Sequence, residues 1–283
     1  MKAKYLVLGA GGQLGKEFSS YLKNHDQNYL APAEKESDIT NQAMMQKLIM
    51  DYNPDYIINC AAYNAVDKAE EDKDTALLVN GSAPGGLAEM AAGQKIKMVH
   101  FSSDYVFDGN KNDLYQENDD CKPVNVYGKS KLKGELQVLS KGDHLVMRLS
   151  WVIGPGEQNF IYKLNQWSRN NPVLKITSDE VSVPTFTFDI VEVTMKALQE
   201  NLHGLYHLTS SDYASRYELT RHYLKISGRN NVVIPVPMSH FQTPAKRPLF
   251  SAMSNQKLKD TLDIGIPSWQ ESLEKYVKLY LGK

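Results

Sequence analysis

The chain has 283 residues, of which 42% are hydrophobic and 23% charged, with a formal net charge of -1. That balance fits a globular protein with a substantial core and lacks the basic surplus of a nucleic-acid binder or the acidic runs of a disordered tail. No segment approaches the roughly 20 apolar residues of a membrane span, and the apolar run before Gly9 is too short for a secretion signal. Cys60 and Cys121 are the only cysteines and make no disulfide framework, so a reducing, cytoplasmic setting is expected.

The first expected unit is strand, tight turn, helix. Tyr5-Leu-Val-Leu8 is a short apolar run; Gly9-Ala-Gly-Gly-Gln-Leu-Gly15 follows; Leu14, Phe18, Tyr21 and Leu22 then recur at helical spacing. Gly9, Gly12 and Gly15 are spaced as a turn over which a backbone approaches a pyrophosphate, with a helix N-terminus aimed at the anion. Asn28 to Ala31 is a second strand, after which Glu34 and Lys35 stand side by side. An acidic residue there suits a ribose hydroxyl and a basic one a 2′-phosphate, so both NADH and NADPH stay open. Thr40 is expected to cap a helix over Gln42 to Tyr52. Pro54 to Cys60 reads as a buried strand ending at the small pair Ala61-Ala62. Thr75 to Ala92 reads as a long helix containing Asn80, placed to tie helix to strand.

Lys97 to Phe101 is the next strand and delivers Ser102-Ser103-Asp104-Tyr105 to its C-terminal end, where an open parallel sheet binds ligands. Gly109 to Pro123 reads as a polar loop over the cleft. Tyr127-Gly-Lys-Ser-Lys131 then opens a helix from Val126 to Ser140. A phenol and an ammonium four residues apart share one helix face, and the ammonium is expected to lower the tyrosine pKa for proton transfer. His144 to Leu149 is a further strand. The alternation implies a doubly wound parallel α/β sheet, Rossmann-like, over residues 1–150, with some later segments returning to it. Residues 151–283 are read as mainly a smaller α/β substrate-binding domain. It has helices at Phe160–Trp167, Asp189–Gln199 and Trp269–Leu281, strands at Val173–Ile176 and Gly204–Leu208, and an irregular proline-punctuated stretch from Pro235 to Pro248. His100 and His144 read as packed, and no metal constellation stands at ligand spacing, so Mg²⁺ is not predicted.

Taken together these motifs resemble the extended short-chain dehydrogenase/reductase superfamily, and within it the dTDP-4-dehydrorhamnose reductase family. The stretches that carry this are Cys60 to Glu70, Ser102 to Gly109, Val126 to Glu135, Arg148 to Val152, Asn159-Phe160 and Thr243 to Pro248. Three departures stand near the family's pocket. Ser103 and Asn64 replace threonines, and Glu180-Val-Ser182 replaces a Gln-x-Gly. The resemblance implies reduction of the C4 ketone of a nucleotide sugar by NADPH or NADH. In it Tyr127 donates the proton, Lys131 supports it and the nicotinamide ribose, and Ser103 orients the carbonyl. It further implies cofactor contacts from Gly9, Gly12, Gln13, Leu14, Gly15, Asp38, Ile39, Ala61, Ala62, Tyr63 and Asn80. Sugar contacts would come from Val66, Asp104, Tyr105 and Trp151, with Arg247 for a substrate phosphate. Alternatives carried with this are a reductase of another nucleotide 4-keto-6-deoxysugar and a cofactor-binding regulatory subunit. An epimerase or dehydratase is a weaker third. No nucleic acid or membrane is expected as a partner. The oligomeric state is open, with a homodimer as the assembly considered.

Overall fold

The computed structural model describes residues 2–282. Strand and helix alternate from the start: β1 (Lys4–Leu8), α1 (Gln13–Asn24), β2 (Asn28–Leu30), α2 (Gln42–Tyr52), β3 (Tyr56–Asn59), α3 (Lys73–Leu77), α4 (Ala83–Gly93), β4 (Lys97–Ser103), α5 (Val126–Leu139) and β5 (Leu145–Leu149). The second half adds β6 (Val152–Ile153), α6 (Phe160–Asn170), β7 (Val173–Thr177), β8 (Val181–Ser182), β9 (Thr185–Phe186) and α7 (Thr187–Gln199). It ends with β10 (Gly204–His207), β11 (Ala214–Ser215), α8 (Arg216–Ile226), β12 (Val232–Val236), α9 (Gln256–Leu262) and α10 (Trp269–Leu281).

Six strands form one parallel sheet in the order β10-β5-β4-β3-β1-β2. Its inner strands are apolar on both faces because both faces are covered. On one face Leu14, Phe18 and Leu22 of α1 meet Ile190 to Leu198 of α7 and Leu258 and Leu262 of α9. On the other, Met45 and Ile49 of α2 pack with Leu87, Ala88 and Ala91 of α4 and Val138 of α5. This is the doubly wound α/β fold expected from the sequence. The strand order turns around between β1 and β3, so the loops leaving those strands diverge and open a crevice at their C-terminal ends.

Residues 187–207 come after β5 yet complete this layer, α7 beside α1 and β10 beside β5. Much of the rest of the second half has its own core. Ile161 and Leu164 of α6, Phe186 of β9, Leu219 and Tyr223 of α8, and Trp269, Leu273 and Tyr276 of α10 cluster there.

Several local expectations are corrected. Asn41, not Thr40, caps α2: its Oδ1 accepts from the Met44 amide at 3.0 Å, while Thr40 Oγ1 donates to Asp38 Oδ1. The helix expected over residues 75–92 begins at Lys73 and is widened to a π-turn over Leu78–Ser82, which holds Asn80. Pro235 lies inside β12, paired in parallel with β7; an edge strand of a two-stranded ribbon tolerates the missing amide donor. The loop expected over the cleft packs elsewhere. Its Tyr115 stacks on Phe107 at 4.1 Å and clusters with Met253, and no residue from 109–123 lines the two cavities at the C-terminal ends of the strands.

Candidate active site

The floor of the site is the β1–α1 turn. Gly9 has φ +71°, and a Cβ on it would lie 2.5 Å from the Ala61 nitrogen, so only glycine fits against the end of β3. Gly12 caps α1, and Gln13 Nε2 donates to the Val152 carbonyl at 3.1 Å, tying the turn to the segment after β5.

The chemistry-bearing residues arrive from β4 and α5. Ser103 ends β4 and accepts from the Tyr105 amide at 3.1 Å. Tyr127 is the second residue of α5, whose N-terminus is fixed from outside. Asn125 Oδ1 accepts from the Gly128 amide at 2.7 Å, and Glu70 Oε1 accepts from the Val126 amide at 2.8 Å. A Cβ on Gly128 would meet the Tyr105 carbonyl oxygen at 2.1 Å, so the absence of a side chain lets α5 press its first turn against the end of β4. Tyr105 and Tyr127 meet edge to face with centroids 5.7 Å apart.

Lys131 is 3% exposed, and its Nζ donates to the Phe101 carbonyl at 2.5 Å. Burial draws its pKa down to about 8, against the pull of Glu135 and Cys60. The phenol of Tyr127 goes the other way from the sequence expectation. Burial pushes it up to about 12, opposed by a hydrogen bond with Ser103 and reinforced by the Asp104 charge. Burial thus favours the protonated phenol of Tyr127.

Two cavities meet here. The first, about 560 Å³, is lined by Gly12, Gln13, Leu14, Gly15, Ala61, Ala62, Ser103, Asp104, Tyr127 and Lys131, with Cys60 and Ser102. The second, about 790 Å³, lies under the second half and carries Lys163, Lys175, Arg216 and Arg247 against Glu180. Val66, Tyr105 and Trp151 line both, with Asn64, Val152 and Gln158, and so form the passage between them. Trp151 sits there at φ +37°, a left-handed backbone that is rare for a bulky residue. Its ring lies under the Arg216 guanidinium at 3.5 Å.

Other expected contacts fall differently. Asp38 lines a shallower third cavity with Glu34, Lys35 and Thr75, while Ile39 turns into the core. Asn80 is 1% exposed and holds the Tyr63 backbone on both sides, Oδ1 accepting at 2.8 Å and Nδ2 donating at 2.9 Å. Neither Asn80 nor Tyr63 lines the first cavity, so both are placed as supports of the β3 loop. Arg247 is already bidentate to Asp67, at 3.0 and 2.7 Å. Glu70 anchors α5, a role the sequence hides because its partner lies 56 residues away.

The first cavity suits a dinucleotide. Its turn admits no Cβ at Gly9, and the buried Gln13 Oε1 and Ser102 Oγ in its wall lack partners. The RmlD substrate binding domain family model matches residues 3–281. The chain is 35% identical to a dTDP-4-dehydrorhamnose reductase of Burkholderia thailandensis, over 99% of this chain and 100% of that one. The chain belongs to the dTDP-4-dehydrorhamnose reductase family. Solved structures agree. One from Clostridium acetobutylicum, a dTDP-4-dehydrorhamnose reductase, superposes with a TM-score of 0.95 at 35% identity, covering 99% of this chain and 100% of that one. Another from Bacillus anthracis, in complex with NADP, gives 0.95 at 29% identity, covering 98% and 99%. Membership of the family accounts for why Ser103, Tyr127 and Lys131 converge on one cavity while the second half supplies another. Among the described residues no helix is long and apolar enough to cross a membrane, and no three His, Cys, Asp or Glu side chains are placed to hold a metal.

Proposed function

We propose that this protein reduces the C4 ketone of dTDP-4-dehydro-L-rhamnose to give dTDP-L-rhamnose, using NADPH or NADH. The observation that carries this is the junction at Tyr105 and Trp151. A proton-donating Tyr127 faces a dinucleotide-shaped cavity there, and that cavity opens into a second one rich in cations. Arg247 is paired with Asp67 and Arg216 with Glu180, so Lys163 and Lys175 leave the second cavity with the net positive field that suits a nucleoside diphosphate. In this reading residues 1–150 mainly hold cofactor and residues 151–283 mainly hold the sugar nucleotide, in a cytoplasmic protein that forms a homodimer.

The cofactor supplies the hydride. The protein does the rest. Gly9, Gly12 and Gly15 let the backbone approach the pyrophosphate without a Cβ between. Lys131, fixed on the Phe101 carbonyl, stands in the same wall as Tyr127 and would hold the nicotinamide ribose. Tyr127 gives its hydroxyl proton to the oxygen that becomes the alcohol, and Ser103 sets the direction of that hydroxyl. Trp151, braced by Arg216, forms the face against which the sugar ring rests.

The test is loss of cofactor absorbance with purified protein, dTDP-4-dehydro-L-rhamnose made in situ, and NADPH or NADH in parallel. Rapid substrate-dependent loss is expected. Folded protein that binds a cofactor yet oxidises none, while reducing a different nucleotide 4-keto-sugar, would replace the substrate. Light scattering of the eluted protein checks the dimer.

A further inference from the structure

The side chain of Gln13 leaves the glycine turn and reaches a segment 139 residues further along the chain, where its Nε2 donates to the Val152 carbonyl at 3.1 Å. That bond fixes the orientation of the amide, because a carbonyl only accepts and Oε1 cannot stand in for Nε2. Oε1 is left buried in the wall of the first cavity, with no partner among the described residues. A buried acceptor without a donor is costly. The amide keeps this orientation for the sake of the Val152 bond, so the turn and the Val152 carbonyl are joined through it.

Val152 follows Trp151, whose backbone stands at φ +37°. A bulky residue keeps that conformation only where its surroundings hold it from several sides. From the second half, the Thr185 amide donates to the Trp151 carbonyl at 3.3 Å. The Trp151 ring lies under the Arg216 guanidinium. Arg216 is held in turn by Glu180, its amide donating to the Glu180 carbonyl at 3.4 Å and its Nε standing 3.9 Å from Glu180 Oε2. From the first half, the hold is Gln13 on Val152. Trp151 and Val152 line both cavities, whereas Gln13 lines the first and not the second.

We propose that Gln13 is a positioning residue that couples the two cavities, so that filling the first raises the affinity of the second for the sugar nucleotide. Trp151 is the element with two states, its left-handed backbone and the relaxed one that a bulky residue prefers. Fixing the glycine turn around a pyrophosphate fixes the Gln13 backbone. The Gln13 side chain then fixes the Val152 carbonyl and, one residue back, the face against which the sugar ring rests. By linkage, the sugar nucleotide tightens cofactor binding by the same factor. The proposal rests on the reductase reading, which gives one cavity to the cofactor and the other to the sugar nucleotide.

Calorimetry tests it. dTDP-L-rhamnose is titrated into free protein and into protein saturated with NADP⁺ or NAD⁺, whichever binds, while cofactor absorbance checks that no turnover accompanies binding. In the wild type, saturation should lower the Kd of dTDP-L-rhamnose by about 10-fold. Gln13→Met keeps the length of the side chain and loses its donor. In it the two Kd values should agree within about 2-fold, with the Kd of the cofactor alone within about 5-fold of wild type. A Gln13 that merely supports the fold would weaken both ligands and leave their ratio as it was. An unchanged ratio in Gln13→Met, or a wild-type ratio near 1, overturns the proposal. Should Gln13→Met fail to fold, amide hydrogen exchange in the wild type decides. Thr185 lines neither cavity, and its amide should exchange at least about 3-fold more slowly with oxidised cofactor alone. Unchanged exchange there overturns the proposal. A wild type that binds no nicotinamide dinucleotide, or binds one but not dTDP-L-rhamnose, removes the reading of the site and the proposal with it, whereas two ligands that bind independently remove the proposal alone.

Discussion

Tyr127 and Lys131 were recognisable as a pair because four residues on a helix fix one face, but the direction of their pKa shifts was not. That direction depends on burial, which spacing does not reveal. The ammonium bonds the Phe101 carbonyl, and surrounding protein raises the phenol to about 12. Tyr127→Phe is expected to lower kcat at least about 100-fold with cofactor affinity largely kept, checked by steady-state rates and cofactor titration. Lys131 carries its charge below a pKa of about 8 and loses it above. The kcat/KM of the free protein should therefore be flat on the acid side of that value and fall above it. In Lys131→Arg, whose guanidinium keeps its proton, any remaining activity should lose that alkaline limb. A limb that persists unchanged would assign it to another group. The hydrogen bonds that Ser150, Ser182 and Ser251 donate to the buried Asp104 carboxylate were beyond sequence reading altogether, since those serines lie 46, 78 and 147 residues from it.

Among the elements, α5 shows what a sequence reading reaches and where it stops. Its range was legible from the apolar and small residues between Val126 and Ser140, and the helix runs over Val126–Leu139. Its anchoring was half legible. Asn125 is a residue type that caps helices, whereas Glu70 reaches in from another loop. Asn125 also donates to the Lys246 carbonyl at 2.7 Å, so one side chain joins α5 to the segment whose Arg247 lines the second cavity. Asn125→Ala should lose about 1 kcal/mol of stability through the cap, read by denaturant unfolding. It should also raise the sugar-nucleotide KM more than the cofactor KM. The strand β12 was missed because Pro235 usually argues against a strand, and only the neighbouring β7 shows that this one is an edge.

At the scale of the molecule, α7 and α10 are tied by Asp189, which accepts from Ser272 Oγ at 2.6 Å with Lys275 Nζ 3.9 Å away. Burial raises its pKa to about 6 from 3.8. A carboxyl raised on folding favours the native state fully while protonated, so its contribution is present below about pH 4 and lost as pH rises through about 6. The loss is on the order of 3 kcal/mol. Asp189→Asn should remove that slope, gaining stability relative to the wild type between pH 4 and 7 in denaturant titrations. A constant difference across that range would place the ionisation elsewhere. The layers of the sheet were legible from strand–helix alternation. The strand at Gly204 was expected too, but its seat beside β5 was not, because pairing partners 59 residues apart leave no local trace.

That seat bears on how the protein is made. β10 closes the open side of β5, and His207 accepts from the buried Arg148, whose guanidinium also binds Glu135 through two bonds of 2.9 and 2.5 Å. Until His207 has left the ribosome, β5 is an unpaired edge and Arg148 lacks one of its acceptors. The nascent chain therefore displays a sticky strand for as long as it takes to synthesise about 55 further residues, several seconds at ordinary elongation rates. A fragment of residues 1–150 should sediment as aggregate, whereas one of residues 1–215 should remain dispersed longer.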